Sequence, residues 1–211
     1  MTMTTGIVDA VSILSLGRVF VANMTGNVVF VGFALGGAKG FSVAASLFAL
    51  SGFLLGAVGG GAALRRLKLN RAELIRNGVA AEVALLVIAL ILAAMAGTPV
   101  PSFYADAISA VLATALGLQN AFVRRLAVPD LTTTVLTMTL TGIAADRPDR
   151  DGNVIGRRIL AVAAMFAGAI CGALLVLRAN PASAVALALA LMLGVWIGTI
   201  LASRSTAEWQ R

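Results

Sequence analysis

Two polar clusters interrupt long apolar stretches of this sequence, and their side chains have the chemistry to bind a small solute. The first cluster is NMTGN, residues 23–27, and the second is VPDLTTT, residues 128–134. Amide, hydroxyl and carboxyl groups can hold a polar solute, and backbone groups freed where a helix breaks can join them. The residues predicted to bind the solute are Asn23, Thr25, Gly26, Asn27, Asp130, Thr132, Thr133 and Thr134.

The elements that must position these clusters are membrane helices. Only 12% of the 211 residues are charged and 60% are hydrophobic, whereas soluble domains carry about 25% charged residues. Apolar runs at 41–64, 78–97, 159–177 and 182–202 reach the roughly 17–25 residues that a helix needs to cross the bilayer. Because these runs are too long and too uniformly apolar for strands, the sequence predicts an all-α integral membrane protein in contact with the lipid bilayer.

Several other functions lack the residues that they would need. The formal charge of +7 does not indicate nucleic acid, because the basic residues cluster at the ends of the apolar segments. The sequence has no histidine, and it shows no nucleophile–base pair, no metal-ligand cluster and no phosphate-binding glycine loop. We therefore expect no enzymatic activity, no cofactor, no metal and no nucleic-acid partner.

The distribution of charge predicts the topology. Five basic residues crowd the connection at 65–76, which is therefore expected in the cytoplasm by the positive-inside rule. Six crossings would then leave both termini cytoplasmic as well. The predicted crossings are 6–37, 41–64, 73–97, 104–143, 157–178 and 182–202.

The two halves of the sequence resemble each other weakly but in order. GIVDAV at 6–11 matches GLQNAF at 117–122, and NMTGNVV at 23–29 matches DLTTTVL at 130–136. This alignment pairs Thr25 with Thr132 and Asn27 with Thr134. Three crossings in each half place the second copy upside down, so we expect one transmembrane domain, 1–211, built as an inverted 3+3 repeat of residues 1–97 and 98–211.

The first and fourth segments are longer than one crossing requires, and each contains a helix-weakening residue. Gly26 loosens the first segment, and Pro129 lacks an amide hydrogen and clashes with the preceding turn of the fourth. Breaks of this kind belong in the protein interior or beside a water-filled cavity. Each long segment is therefore expected to be either a broken spanning helix or a spanning helix followed by a re-entrant one.

A second set of polar residues could couple solute binding to an ion or balance a charge. Asp9 and Glu82 sit within apolar segments, where ionisable side chains are costly, and either could bind a proton or cation. The alternative for Glu82 is a hydrogen bond to a neighbouring helix, and the arginines could neutralise Asp130, bind an anion or mark the cytoplasmic end of a helix. The coupling or charge-pairing candidates are Asp9, Arg18, Glu82, Asn120, Arg124 and Arg125.

Small residues repeat at four-residue spacing on the second and fifth segments. Gly52 and Gly56 lie on one, and Gly168 and Gly172 lie on the other. Such faces let two helix backbones approach closely, either within one subunit or between subunits. A homodimer through these faces is expected.

The motifs resemble a known family over nearly the whole chain. GIVDAVSILSLGRVFVANMTGN, followed by GLQNAFVRRLAVPDLTTTVLTMTLTGIAAD, is similar to the YoaK-type family of bacterial inner-membrane proteins, a domain of unknown function. The resemblance implies a location in the inner membrane but no substrate.

These observations favour a small-solute transporter or channel whose binding site lies between the two broken segments near mid-membrane. The alternative is a non-transporting membrane module, either a scaffold or a sensor of a lipophilic ligand. Paired polar breaks favour the first interpretation, whereas serine and threonine that only join neighbouring helices would favour the second.

Overall fold

A computed structural model describes residues 1–66, 70–126, 136–145 and 152–203. These residues form eight helices and no strand, which confirms the all-α class. The helices are α1 Thr2–Ser15, α2 Met24–Leu35, α3 Val43–Arg66, α4 Arg71–Ala96, α5 Ser102–Leu126, α6 Leu136–Ala145, α7 Gly152–Arg178 and α8 Pro181–Ser203.

Five of the described helices, α3, α4, α5, α7 and α8, are long and apolar enough to cross a membrane. At 1.5 Å per residue they extend roughly 35–40 Å, which exceeds the hydrocarbon thickness of about 30 Å. Large apolar side chains remain exposed on their outer faces, including Leu55, Phe166 and Leu201. Lipid can cover such surfaces, so this is a multi-pass membrane protein.

Polar residues fix the starts of three of these helices. The side chain of Ser42 accepts the amide hydrogen of Ala45 at the start of α3, and Asn180 accepts that of Ser183 at the start of α8. At α4, Asn70 and Glu73 form a reciprocal capping box, with N···O distances of 2.9 and 3.1 Å. These contacts satisfy amide groups that the first helical turn cannot pair internally.

The first predicted segment is two short helices rather than one. α1 and α2 have 14 and 12 residues, and residues 16–23 between them are not helical. The predicted position of the break was wrong, because Thr25, Gly26 and Asn27 lie inside α2 and the interruption precedes them. Gly17 and Arg18, with φ of 88° and 59°, turn the chain out of α1.

The fourth predicted segment contains the unbroken helix α5 and the short helix α6. α5 runs through Leu126, and α6 begins at Leu136. The predicted break at 128–134 lies outside the described residues. The 10 described residues of α6 extend about 15 Å.

Close contacts between backbones hold α3 against α5. A methyl group built on Gly56 would collide with the carbonyl of Thr114, and one on Gly52 would collide with that of Ala110. From the other side, a methyl group on Gly117 would collide with the carbonyl of Phe53. Only glycine allows this approach.

The same kind of contact joins α1 to α7. A methyl group on Gly168 would meet the carbonyl of Met3, one on Gly172 would lie 2.9 Å from the Ile7 backbone, and one on Gly6 would meet the carbonyl of Met165. The glycine faces predicted to form a homodimer are therefore covered by helices of the same chain. Association of two chains stays a prediction without an assigned surface.

The core lies where α1, α4, α5 and α8 meet. α4 packs against α5 and α8, and α1 packs against α7, α8 and α5. The short helices α2 and α6 lie beside this core, since α2 packs against α3 and α6 against α7.

Candidate functional site

Asp9 on α1 holds one end of the non-helical segment. Its Oδ1 accepts hydrogen bonds from the backbone amides of Val21 and Ala22, each at 3.3 Å. The side chain is buried, with 8% of its surface exposed. Backbone amides released at the break are thus satisfied by a carboxylate two turns before the end of α1.

Asn27 on α2 holds the neighbouring residue of the same segment. Its Oδ1 accepts the amide hydrogen of Phe20 at 2.8 Å, and its Nδ2 donates to the carbonyl oxygen of Phe20 at 2.6 Å. Asn27 is completely buried. Its side-chain amide therefore pairs with both polar backbone groups of Phe20, as a neighbouring β-strand would.

The other predicted residues of the first cluster have different surroundings. Asn23 and Thr25 are exposed, and Gly26 lies against the ring of Phe20, which a methyl group at Gly26 would approach to 2.5 Å. Phe20 also stacks on Phe30 with ring centroids 5.5 Å apart. The cluster therefore contributes one buried polar side chain, Asn27, and a glycine that makes room for an aromatic ring.

The predicted residues of the second cluster, Asp130, Thr132, Thr133 and Thr134, lie outside the described residues. Their role in solute binding stays a prediction. Within the described part of the chain, no three acidic, cysteine or histidine side chains come together in a group that could hold a metal ion.

The remaining coupling candidates on α5 and the break do not gather at one point. Arg18 is exposed with its guanidinium beside Gly40, and Arg124 and Arg125 are exposed in the last turn of α5. Asn120 donates from Nδ2 to the carbonyl of Leu116 at 2.9 Å, within its own helix. The helix-end interpretation therefore suits Arg124 and Arg125 best.

Glu82 is the exception, because it is completely buried and neither carboxylate oxygen makes a hydrogen bond to the described residues. The charged group that acts on it is the amino group of Met1. A carboxylate in such surroundings is costly unless a proton, a cation or a donor accompanies it. Glu82 thus needs a partner that Asp9 already has.

Sequence reasoning missed Gln119, which is also completely buried and has no hydrogen-bond partner among the described residues for either its amide oxygen or its nitrogen. Ser109, on the same helix, shares this condition. Gln119 stands next to Asn120 in the GLQNAF motif, and an amide side chain within an otherwise apolar segment was the available signal.

Helix spacing brings Glu82 and Gln119 to the same level of the α4–α5 interface. A methyl group on Gly78 of α4 would lie 2.7 Å from the ring of Phe122 on α5. Glu82 follows Gly78 by one turn, and Gln119 precedes Phe122 by about one turn. Because consecutive helices joined by a short connection run antiparallel, both displacements point in the same direction along the interface.

The fold and the buried polar groups define the class of this chain as an all-α multi-pass membrane protein with a discontinuous first segment. Residues 1–200 match a family described as "Protein of unknown function (DUF1275)", and the chain belongs to that family. It is similar to "UPF0700 transmembrane protein YoaK" of Bacillus subtilis (strain 168), with 35% identity over 149 residues. That match covers 68% of this chain and 63% of the relative's length. No solved structure matches the chain.

Proposed function

We propose that the protein is a small-solute transporter or channel of the bacterial inner membrane. The observation that carries the proposal is the non-helical segment 16–23, held between two short apolar helices by Asp9 and Asn27. Irregular backbone is tolerated at membrane depth where it is buried in protein or lines a cavity. Transporters use such discontinuous helices to bind solutes near mid-membrane.

We also propose that the two halves form an inverted repeat, and the glycine contacts support one register for it. Adding 112 to Gly56 of α3 gives Gly168, and adding 111 to Met3 of α1 gives Thr114. The contact of Gly56 with Thr114 therefore corresponds to the contact of Gly168 with Met3. The same two shifts relate the contact of Gly60 with Leu118 to that of Gly172 with Ile7. They also relate the contact of Gly117 with Phe53 to that of Gly6 with Met165.

The helix packing follows the same exchange of halves. If α1 to α4 correspond to α5 to α8, the contact of α2 with α3 becomes that of α6 with α7, and the contact of α4 with α5 becomes that of α8 with α1. The contacts of α4 with α8 and of α1 with α5 map onto themselves. If a two-fold axis relates the two halves, a contact between two corresponding helices must map onto itself in this way.

This register changes one pairing inferred from the sequence. It pairs Gly56 with Gly168 and Gly60 with Gly172. A shift of 112 also pairs Asn27 with Thr139 rather than with Thr134, and Thr139 is likewise buried, with 5% exposed. We therefore add Thr139 to the candidate site as the counterpart of Asn27.

Charge at the helix ends supports a cytoplasmic location for both termini. Arg65 and Arg66 end α3, and Arg124 and Arg125 end α5. Since α4 crosses back between them, these two ends lie on the same side of the membrane. Four arginines on one side favour that side as cytoplasmic.

Solute uptake into proteoliposomes tests the proposal. The wild type and an Asn27→Leu variant would be screened against small anions, cations and neutral polar solutes, with Val28→Leu, at an exposed position of the same helix, as the matched control. We expect the wild type and Val28→Leu to admit one class of solute and Asn27→Leu to lose that uptake. If the folded wild type admits none of these solutes, the proposal of a transporter or channel is wrong.

One observation favours the alternative, a non-transporting membrane module. The hydrogen bonds of Asp9 and Asn27 already satisfy three backbone amides and one carbonyl group of the break, so these groups require no solute as a partner. Uptake data distinguish the two functions, because a scaffold predicts no passage of any solute class.

A further inference from the structure

We propose that Glu82 binds a proton in the membrane interior, with Gln119 as the hydrogen-bond partner of its neutral carboxyl group. The step is simple proton binding: a proton from water adds to the carboxylate, and no other bond changes. This inference goes beyond solute transport and does not depend on it.

The burial of both residues is the first reason. Glu82 and Gln119 have none of their surface exposed, and all four of their side-chain polar atoms lack a hydrogen-bond partner among the described residues. A buried charged carboxylate costs far more than a buried neutral carboxyl, which needs only hydrogen bonds. Proton binding removes the larger cost.

Chemical complementarity is the second reason. A neutral carboxyl offers one donor and one acceptor, and the glutamine amide offers an acceptor oxygen and two donor hydrogens. Helix spacing from the contact of Gly78 with Phe122 puts the two side chains at the same level of the α4–α5 interface. In the proposed pair, the carboxyl donates to Oε1 of Gln119 while Nε2 donates back.

Few charged groups lie near Glu82 that could pair with its carboxylate. α8 carries no ionisable residue within 181–203. On α5, the titratable residues are at least five positions from Gln119 along the helix: Tyr104, Asp106, Arg124 and Arg125. The amino group of Met1 is the one charge that acts on Glu82 among the described residues, and it makes no hydrogen bond to the carboxylate.

A proton-binding carboxyl in this position has a functional consequence if the protein is a transporter. Its protonation state would change the charge of the core between two conformations, which is how proton relays in membrane proteins use acidic residues. That consequence rests on the proposed function, whereas proton binding itself is measured without any solute.

Infrared difference spectroscopy of the full chain in lipid nanodiscs, recorded across a pH titration, tests the inference. We expect a carbonyl band of a protonated carboxyl that disappears on deprotonation and is absent in Glu82→Gln. Gln119→Met, which keeps the length of the side chain but removes its polar atoms, should shift that band. Asp9→Asn, which removes the other buried carboxylate, should leave it in place.

Thermal unfolding gives a second, independent measurement. The wild type should lose stability relative to Glu82→Gln as the pH rises, because deprotonation leaves a charge in the core. Sodium or potassium at fixed pH should have no such effect, and acetylating the amino group of Met1 should not remove the band. An unchanged spectrum in Glu82→Gln, a cation-dependent but pH-independent stability, or a Glu82 that stays ionised throughout would each overturn the inference.

Discussion

The side-chain amide of Asn27 both accepts from and donates to the backbone of Phe20, at 2.8 and 2.6 Å. One buried residue of α2 thereby pairs both polar backbone groups of a residue outside any helix. Asp9 accepts hydrogen bonds from the next two amides, so two side chains hold residues 20–22 of the break. The break is thus a defined structure whose geometry depends on two residues.

Removing the Asn27 amide should destabilise the protein. Asn27→Leu would leave the amide and carbonyl of Phe20 without partners in the interior, at a cost of about 1–3 kcal/mol for each group. Thermal unfolding in detergent measures this loss, with helix content followed by circular dichroism. Exposed Thr25→Val should change stability by no more than about 0.5 kcal/mol. Equal stability of wild type and Asn27→Leu would show that water or lipid headgroups replace the hydrogen bonds between Asn27 and Phe20.

The glycine contacts predict paired effects in the two halves. Gly56→Ala and Gly168→Ala each push a methyl group into a carbonyl of the facing helix, so each should cost about 1–3 kcal/mol. Gly59→Ala is the matched control, because nothing lies within 4 Å of the added carbon and alanine favours the helix. Unfolding midpoints and the oligomeric state would be measured together. A change in oligomeric state without a loss of stability would indicate that these glycine faces form a dimer interface instead.

The topology predicts opposite accessibility for the start of α5 and the end of α8. Single cysteines at Ser102 and Ser203, in a Cys171→Ala background, should react with a membrane-impermeant reagent from opposite sides. The reason is that α5, α7 and α8 are each long and apolar enough to cross once, and we expect no further crossing between α5 and α7. Labelling of intact cells and of inverted vesicles makes the measurement. Reaction of both positions from one side would require a different number of crossings.

Hydropathy was sufficient to predict the long helices, and it was insufficient at the break. The predicted crossings at 41–64 and 182–202 agree with α3 and α8 within about two residues, because apolar length alone defines them. The break contains Val19, Phe20 and Val21, whose apolar character is indistinguishable from that of a membrane helix. The side chains that hold its backbone come from residues 7 or more positions away, so no local pattern marks it.

For the glycines and the polar residues, the sequence predicted the residue types that matter but not the groups that they contact. The spacing of Gly52 and Gly56 predicted a close-packing face, but a sequence does not say which helix covers it. Asn23 and Asn27 were indistinguishable by type, yet one is exposed and the other is buried. Gln119 carried no charge and stood beside the more conspicuous Asn120, so its burial became evident only in the packed structure.

The last prediction concerns the charge of Asp9. The alignment of GIVDAV with GLQNAF pairs Asp9 with Asn120, so the proposed repeat places an uncharged amide in the second half where the first half has a carboxylate. In the first half, the contacts to Val21 and Ala22 need only an acceptor oxygen, which asparagine also provides. Asp9→Asn should therefore keep most of the stability. Asp9→Leu has a similar size and no acceptor, and it should lose about 1–3 kcal/mol for each of the two amides left unpaired. Unfolding of both variants in nanodiscs separates these effects. If Asp9→Asn is as destabilised as Asp9→Leu, the negative charge itself is required, and Asp9 would serve as the counter-charge of a bound cation rather than as an acceptor for the break.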